Sequence, residues 1–325
     1  MRKIVLLSCL PTLLLGCSGE QSVLAPRGEE ASEIGRLFWA MTIFLALVLL
    51  GVLAATALAI AGGPRARARL AAHRFIVGAG VIFPTVSLLL LLAYGLSAMG
   101  LRSWPAAADP PALRVTVVGE QWWWRVIYHL PDGTDLESAN ELVIPVGERV
   151  ALQLQTADVI HSFWVPNLAG KVDMIPGRTN RLALQATQAG VSRGQCAEYC
   201  GGAHALMSFH VVARERPDFD AWLAAESRPA VRTDGEGARL FVASGCGACH
   251  RVRGLPSAAG TIGPDLTHVA SRRSLGAATL ANDAEAFAAW IRDNQHIKPG
   301  NRMPPYRVLS DGELRVLAQF LDALE

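Results

Sequence analysis

Two charge-free stretches decide what most of the N-terminal third can become. From Leu37 to Pro64, and again from Phe75 to Leu101, the chain contains no Asp, Glu, Lys or Arg. Each run exceeds the roughly 20 apolar residues that a helix needs to cross a bilayer. The two predict a membrane hairpin over residues 37–101, with spans at about 37–61 and 75–99. Arg65, Arg67, Arg69, His73 and Arg74 crowd the connection between them. The positive-inside rule places that connection in the cytoplasm, so residues 17–36 and everything after residue 101 face outward. Pro84 predicts a kink in the second span, which neighbouring helices can accommodate.

Ahead of the hairpin, Arg2 and Lys3 precede an apolar run from Ile4 to Gly16 that is short for a span, so residues 1–16 read as an export signal. Half of all residues are hydrophobic and only 18% are charged, which is apolar for a soluble protein. The net charge of +2 is too small to imply a nucleic-acid partner.

Beyond Pro105, Pro110 and Pro111 the pattern changes to alternation. Leu113 to Val117 reads as a strand with one buried face, and Glu141 to Leu154 as two strands around a Pro/Gly turn. Arg181–Gln185 and Met207–Ala213 supply further strands, a pattern that suggests a sandwich. Within it lies Cys196-Ala-Glu198-Tyr-Cys200-Gly-Gly-Ala-His204-Ala-Leu-Met207. Thiolate, imidazole and thioether are soft donors that suit copper. One Cys, a following His and Met, and a remote His such as His161 would make a mononuclear site, while two thiols supply enough sulfur to bridge two metal ions. A zinc site of two Cys and two His, or a Cys196–Cys200 disulfide, remains open on composition; the first leaves Met207 without a role and the second leaves both histidines without one.

Asp218 to Glu226 reads as a short helix, and residues 227–236 as a polar linker. Then comes Cys246-Gly-Ala-Cys249-His250, the attachment motif of c-type haem, in which the two thiols bond the macrocycle and the histidine binds iron. Residues 237–243 have a helical look, as does Ala284–Arg292 with Phe287 and Trp290 on its apolar side. Ser310 to Glu313 is a capping box before a stripe of Leu314, Leu317, Phe320 and Leu321. A sixth iron ligand should lie beyond His250; Met303 is the one methionine after Met207, with His268 and His296 as competitors.

Together, Asp158-Val-Ile-His161-Ser-Phe163 and the Cys196–Met207 loop resemble the CuA domain of cytochrome c oxidase subunit II. That resemblance implies a cupredoxin sandwich over residues 112–226, with the metal loop between two late strands. Cys196 and Cys200 would bridge the coppers, His161 and His204 would bind one copper each, and Met207 and the backbone carbonyl of Glu198 would complete the site. It also makes Trp122, in Gln121-Trp-Trp-Trp124, the residue that receives electrons, and gives the Glu198 side chain a place on a magnesium or manganese ion shared with subunit I. Lys171 to Arg178 is similar to a family stretch at the same boundary.

Residues 237–325 resemble a class I cytochrome c domain. The resemblance implies that the Pro264 carbonyl orients His250 and that Met303, in its Met–Pro setting, is the second axial ligand. Leu14-Leu-Gly-Cys17 resembles a lipoprotein box, implying cleavage before Cys17 and lipid on its sulfur; an ordinary signal with an incidental cysteine is the alternative.

The implied protein is a multidomain chain: a two-helix transmembrane hairpin, an all-β cupredoxin and an all-α cytochrome c domain. It would be subunit II of a caa3-type oxidase in a bacterial inner membrane, with both redox domains on the outer face. It would pass electrons from a cytochrome c-type donor through haem c and CuA to subunit I, with subunit III and membrane lipid as further partners. A membrane-tethered redox carrier without an oxidase, or a CuA protein of nitrous oxide reductase type, would carry similar ligands. One departure stands out: many family members have a Glu in the second span a few residues before its Pro, whereas this chain has Val77 near that place and no acid in the span.

Overall fold

A computed structural model describes residues 18–100 and 113–325. The predicted signal, Cys9, Cys17 with its predicted lipid, and the three prolines after the hairpin lie outside the described residues. Two compact units emerge, one spanning residues 33–110 and the other holding the remainder.

The first unit takes all but the first turn of α1 (Glu29–Ala61), then α2 (Pro64–Leu70), α3 (His73–Val77), a π turn (Gly78–Ile82) and α4 (Phe83–Gly100). The stretches Glu29–Ala61 and His73–Ser97 are each long and apolar enough to cross a membrane. Their large side chains, Leu47, Leu50, Ile60, Leu88 and Leu90 among them, are exposed. An apolar surface of that extent is stable only against lipid or other protein. The break expected at Pro84 takes the form of the π turn just before it. A proline in a helix lacks an N–H and crowds the carbonyl four residues back, and a wider turn relieves that crowding.

Strands β1 (Leu113–Glu120), β2 (Trp123–His129), β3 (Asp135–Ala139), β4 (Glu141–Pro145), β5 (Val150–Thr156), β6 (His161–Trp164), β7 (Val172–Met174), β8 (Asn180–Leu184), β9 (Gly190–Cys196) and β10 (Ser208–Arg214) form two five-stranded sheets. Their orders are β3-β2-β1-β5-β8 and β4-β10-β9-β6-β7. The β1–β5 and β4–β10 pairs are parallel. The two strands read around the Pro145–Gly147 turn therefore fall in opposite sheets, and the turn carries the chain across the sandwich. Alternate residues such as Val115, Val117, Leu152, Leu154 and Val211 point into the core, as period-two patterning requires. Trp124, Phe163 and Phe209 form an aromatic cluster under the metal loop, with centroid separations of 4.8 to 6.1 Å. The fully buried Tyr128 hydroxyl accepts from Val143 N (2.7 Å) and donates to Val143 O (3.2 Å), pinning β2 of one sheet to β4 of the other. Helix α5 (Arg216–Glu226) packs Phe219 and Trp222 on the end of this core.

Residues 227–230, expected to be a polar linker, are tied down. Arg253 donates to the Glu226 and Ser227 carbonyls, and His268 Nε2 lies 2.9 Å from the Arg228 carbonyl. Helices α6 (Gly235–Ala243), α7 (Ala284–Ile297) and α8 (Asp311–Asp322), with the short hairpin β11 (Ser274–Leu275) and β12 (Leu280–Ala281), enclose a second core of Phe241, Phe287, Ile291, Leu314, Leu317 and Leu321. The capping box at Ser310 forms in full: Glu313 N donates to Ser310 Oγ, and Ser310 N donates to Glu313 Oε2 at 2.8 Å. Ser310→Ala is expected to cost this domain about 1 kcal/mol, visible as a lower midpoint for loss of its haem-region signal on heating. An unchanged midpoint would mean that packing against α6 and α7, not the cap, fixes the start of α8.

Candidate metal centre

The loop between β9 and β10 brings its sulfur atoms together because both strand ends are held. Cys196 N donates to Met207 O (2.9 Å), closing the loop at its base. Inside it, Cys196 Sγ and Cys200 Sγ lie 3.7 Å apart. Cys196 Sγ is 3.8 Å from His161 Nδ1 and 3.2 Å from the Glu198 carbonyl. Cys200 Sγ is 3.5 Å from His204 Nδ1 and 3.8 Å from Met207 Sδ. Two thiols thus stand side by side, each flanked by one imidazole, with a thioether beside the second and a backbone carbonyl beside the first. All six positions singled out in the sequence meet at one place. His161, Cys196 and Cys200 also have their donor atoms within 4.8 Å of one another. The donor set is soft, with His161, Cys196, Cys200 and Met207 buried and His204 half-buried, and it fits a pair of copper ions.

Hydrogen bonding to Cys200 is the largest influence on Cys196. With help from His161 it overcomes burial and brings the Cys196 thiol down to about 3. The same bond holds the Cys200 proton, pushing its pKa far up. The two thiols thus share one strong hydrogen bond, and the anion that a metal needs forms more readily on Cys196 than on Cys200.

Sequence reasoning had not assigned three residues around this loop. Asp158 Oδ1 sits 2.9 Å from His161 Nε2, which leaves Nδ1 to face the thiols. Burial opposes a charge on His161, but its hydrogen bonds to Cys196 and Asp158 outweigh that and raise its pKa. Burial likewise works against the Asp158 carboxylate, yet bonds from His161 and from the Gln121 and Val159 amides hold its pKa below the usual range. Gly119 on β1 lies directly under the His161 ring; a β-carbon there would stand 2.8 Å from Cδ2, so no larger residue fits without moving the imidazole. Gln121 Nε2 and Trp122 Nε1 both donate to the Cys200 carbonyl, at 2.8 and 3.0 Å. That half-buried indole is thus coupled to a cysteine of the loop through one hydrogen bond.

Trp124 is a core residue at 1% exposure, and Trp123 lies under the Arg125 guanidinium. His129 and His210 have other partners, Asp135 and Thr116 for the first and Ser274 for the second. The Glu198 side chain is exposed.

In the second core, Cys246, Cys249 and His250 follow α6 on a 3-10 turn (Cys246–Ala248), all half-buried. His250 Nδ1 lies 2.8 Å from the Pro264 carbonyl, which fixes the ring and leaves Nε2 free to bind iron. Burial lowers the His250 pKa and keeps the imidazole neutral, the form that ligates iron. Burial also lifts the Cys246 thiol to about 11. Met303 packs against the same core. Of its competitors, His268 is spent on the Arg228 carbonyl and His296 is exposed. These residues fit a covalent haem.

Two family profiles match the chain. Residues 129–214 match the periplasmic domain of cytochrome c oxidase subunit II, and residues 235–325 match cytochrome c. The chain is 34% identical to cytochrome c oxidase subunit 2 of Alkalihalophilus pseudofirmus, over 98% of this chain and 96% of that one. It is 30% identical to cytochrome c oxidase subunit 2 of Bacillus subtilis, over 100% and 98%. The solved periplasmic domain of cytochrome oxidase subunit II from Bradyrhizobium japonicum is 32% identical, covering 36% of this chain and 95% of that one at a TM-score of 0.34. The first domain implies copper and the second implies haem, and the two apolar helices make this a membrane-anchored protein with a periplasmic domain. The chain belongs to the cytochrome c oxidase subunit II family, in the form that carries a C-terminal cytochrome c domain.

Proposed function

We propose that this chain is the electron-input subunit of a caa3-type oxidase, with a binuclear copper centre held by His161, Cys196, Glu198 (through its carbonyl), Cys200, His204 and Met207. Haem c would be held by Cys246, Cys249, His250 and Met303. The observation that carries this reading is the meeting of two thiols, two imidazoles, a thioether and a carbonyl where the β9–β10 loop faces His161 of β6. When bound, the copper pair and haem c supply one-electron transfer. The chain's own part is to hold both sites rigidly and to exclude water. The sandwich anchors the metal loop at both ends, so little has to move when the charge on the metals changes.

Trp122 receives the electron in this reading, and its bond to the Cys200 carbonyl supports that role. The donor is a cytochrome c-type protein, and the electron leaves to subunit I of an assembly that also includes subunit III. Both redox domains face outward from the inner membrane, with Cys17 lipidated. The exposed Glu198 side chain is free to share a magnesium or manganese ion with subunit I, which would have to bring the other ligands. The domain limits that go with this reading are 112–226 for the copper domain and 237–325 for the haem domain.

Chain purified from membranes should contain two copper ions and one covalent low-spin haem, show a near-infrared copper band, and bring subunit I with it. Oxygen should oxidise its haem. One zinc and no near-infrared band would defeat the copper assignment. Isolation without an oxidase partner, and with no oxygen-linked oxidation of the haem, would favour a tethered carrier.

A further inference from the structure

The haem-bearing and copper-bearing domains belong to a single compact unit. A central element of their contact is the turn between α7 and Met303. Lys298 is 2% exposed, although lysine is almost never fully buried without partners. Its Nζ donates to three backbone carbonyls: Trp122 O at 2.6 Å, Leu206 O at 2.8 Å and Gly276 O at 2.9 Å. The first precedes β2 beside the metal loop, the second lies in the metal loop next to Met207, and the third lies in the β11–β12 turn of the haem domain. Three acceptors use all three protons of an ammonium, which a neutral amine could not satisfy. Burial pushes the Lys298 pKa down to about 7, so these carbonyls are what the buried charge has in place of water.

Two residues on, Gly300 has φ +80° and lies against the Trp122 indole; a β-carbon on it would stand 3.2 Å from that ring. Arg302 reaches Asp158, the carboxylate behind His161, at 3.5 Å. The loop that delivers Met303 therefore touches the copper domain at its Trp122 carbonyl, its Trp122 ring and its Asp158 carboxylate.

We infer that Lys298 is a positioning residue: an ammonium latch that fixes the Met303 loop of the haem domain on the Trp122–Leu206 face of the copper domain. The two domains then form a locked relay and not two modules on a flexible tether. The latch keeps the geometry between the two redox sites constant from turnover to turnover and avoids a search step. This role rests on the copper and haem reading above.

The test uses full-length chain, loaded with metal and haem, carrying Lys298→Met, which keeps the length and apolar stem but has no donor. Backbone hydrogen exchange should quicken at least about tenfold in segments 120–124, 204–208 and 274–280, because three carbonyls on either side of the contact lose their shared donor. Segments 235–243 and 311–322, in the haem-domain core, should keep wild-type exchange. Electron equilibration between haem and copper after rapid reduction should slow at least about tenfold in parallel. Lys298→Gln, with two N–H donors on a shorter stem, should fall between the two.

Wild-type exchange in the three segments for both variants would overturn the latch. So would equal quickening of the haem-domain core, or loss of haem from both variants, since either would make Lys298 a folding residue of that domain. Copper and haem content of the wild-type preparation separates the two levels. If either is missing, the underlying reading fails, whereas with both present the exchange pattern alone judges Lys298.

Discussion

Cys200→Ser is expected to abolish the binuclear centre while leaving haem c in place. The substitution changes volume little, so the sandwich should fold. What changes is donor chemistry: a hard hydroxyl replaces a soft sulfur that lies within 3.5 to 3.8 Å of Cys196, His204 and Met207 at once. No other thiol in the loop lies beside His204 and Met207, and a neutral thioether with one imidazole would hold a second ion only weakly. Copper should fall from two ions per chain to at most one, and the near-infrared band should vanish. Losing an outer-shell partner typically costs 10–100-fold in affinity or activity, so if Cys200 is a direct copper ligand, as proposed, its loss should lower oxygen-linked turnover by at least about 100-fold. The copper-to-haem ratio of purified protein reads this directly. A variant that kept two coppers and the band would remove Cys200 from the ligand set.

The second large effect is expected at the other redox site. Met303→Leu preserves bulk and apolarity but gives the iron no sulfur. A Met axial ligand raises the potential of a c-type haem, and axial ligands together span about 0.8 V across haem proteins. The haem potential should therefore drop by on the order of 100 mV. Each 59 mV is a tenfold change in a one-electron equilibrium, so reduction by an external donor would become less favourable by roughly 50-fold. A redox titration of the haem absorption measures the shift. An unchanged potential would hand the sixth position to another side chain, and His296 is the one left to consider, since His268 is bound to the Arg228 carbonyl.

Short-range chemistry was readable from the sequence because it is written in spacing. Four metal-loop donors lie within a dozen residues, the haem motif within five, and the α8 capping box within four. The membrane spans were readable because a charge-free run of that length has few alternatives. What could not be read depends on approach between distant strands. Gly119 matters only because β1 passes under His161, and Asp158 only because its carboxylate turns back on the same ring. β6 and β7, at four and three residues, are too short for alternation to declare itself. Lys298 is one of ten basic residues between positions 237 and 325, and its sequence neighbours do not set it apart. Its burial is set by the mutual seating of two domains, which neither domain's own sequence pattern encodes. The polar stretch after α5 misled for a related reason: its composition is that of a free tether, but the partners that hold it, Arg253 and His268, come later in the chain.

The Tyr128–Val143 bond and the Lys298 contacts have opposite meanings for anyone wishing to study the copper domain by itself. The first lies wholly within the sandwich and would survive severing the chain after α5. The second would not. Such a fragment would present the Trp122 and Leu206 carbonyls to water, uncover the indole now beneath Gly300, and release Asp158 from Arg302. Spectra from it would report a copper site with its ligands intact but with a hydrated flank. Differences from the whole subunit would measure what the haem domain contributes as a wall.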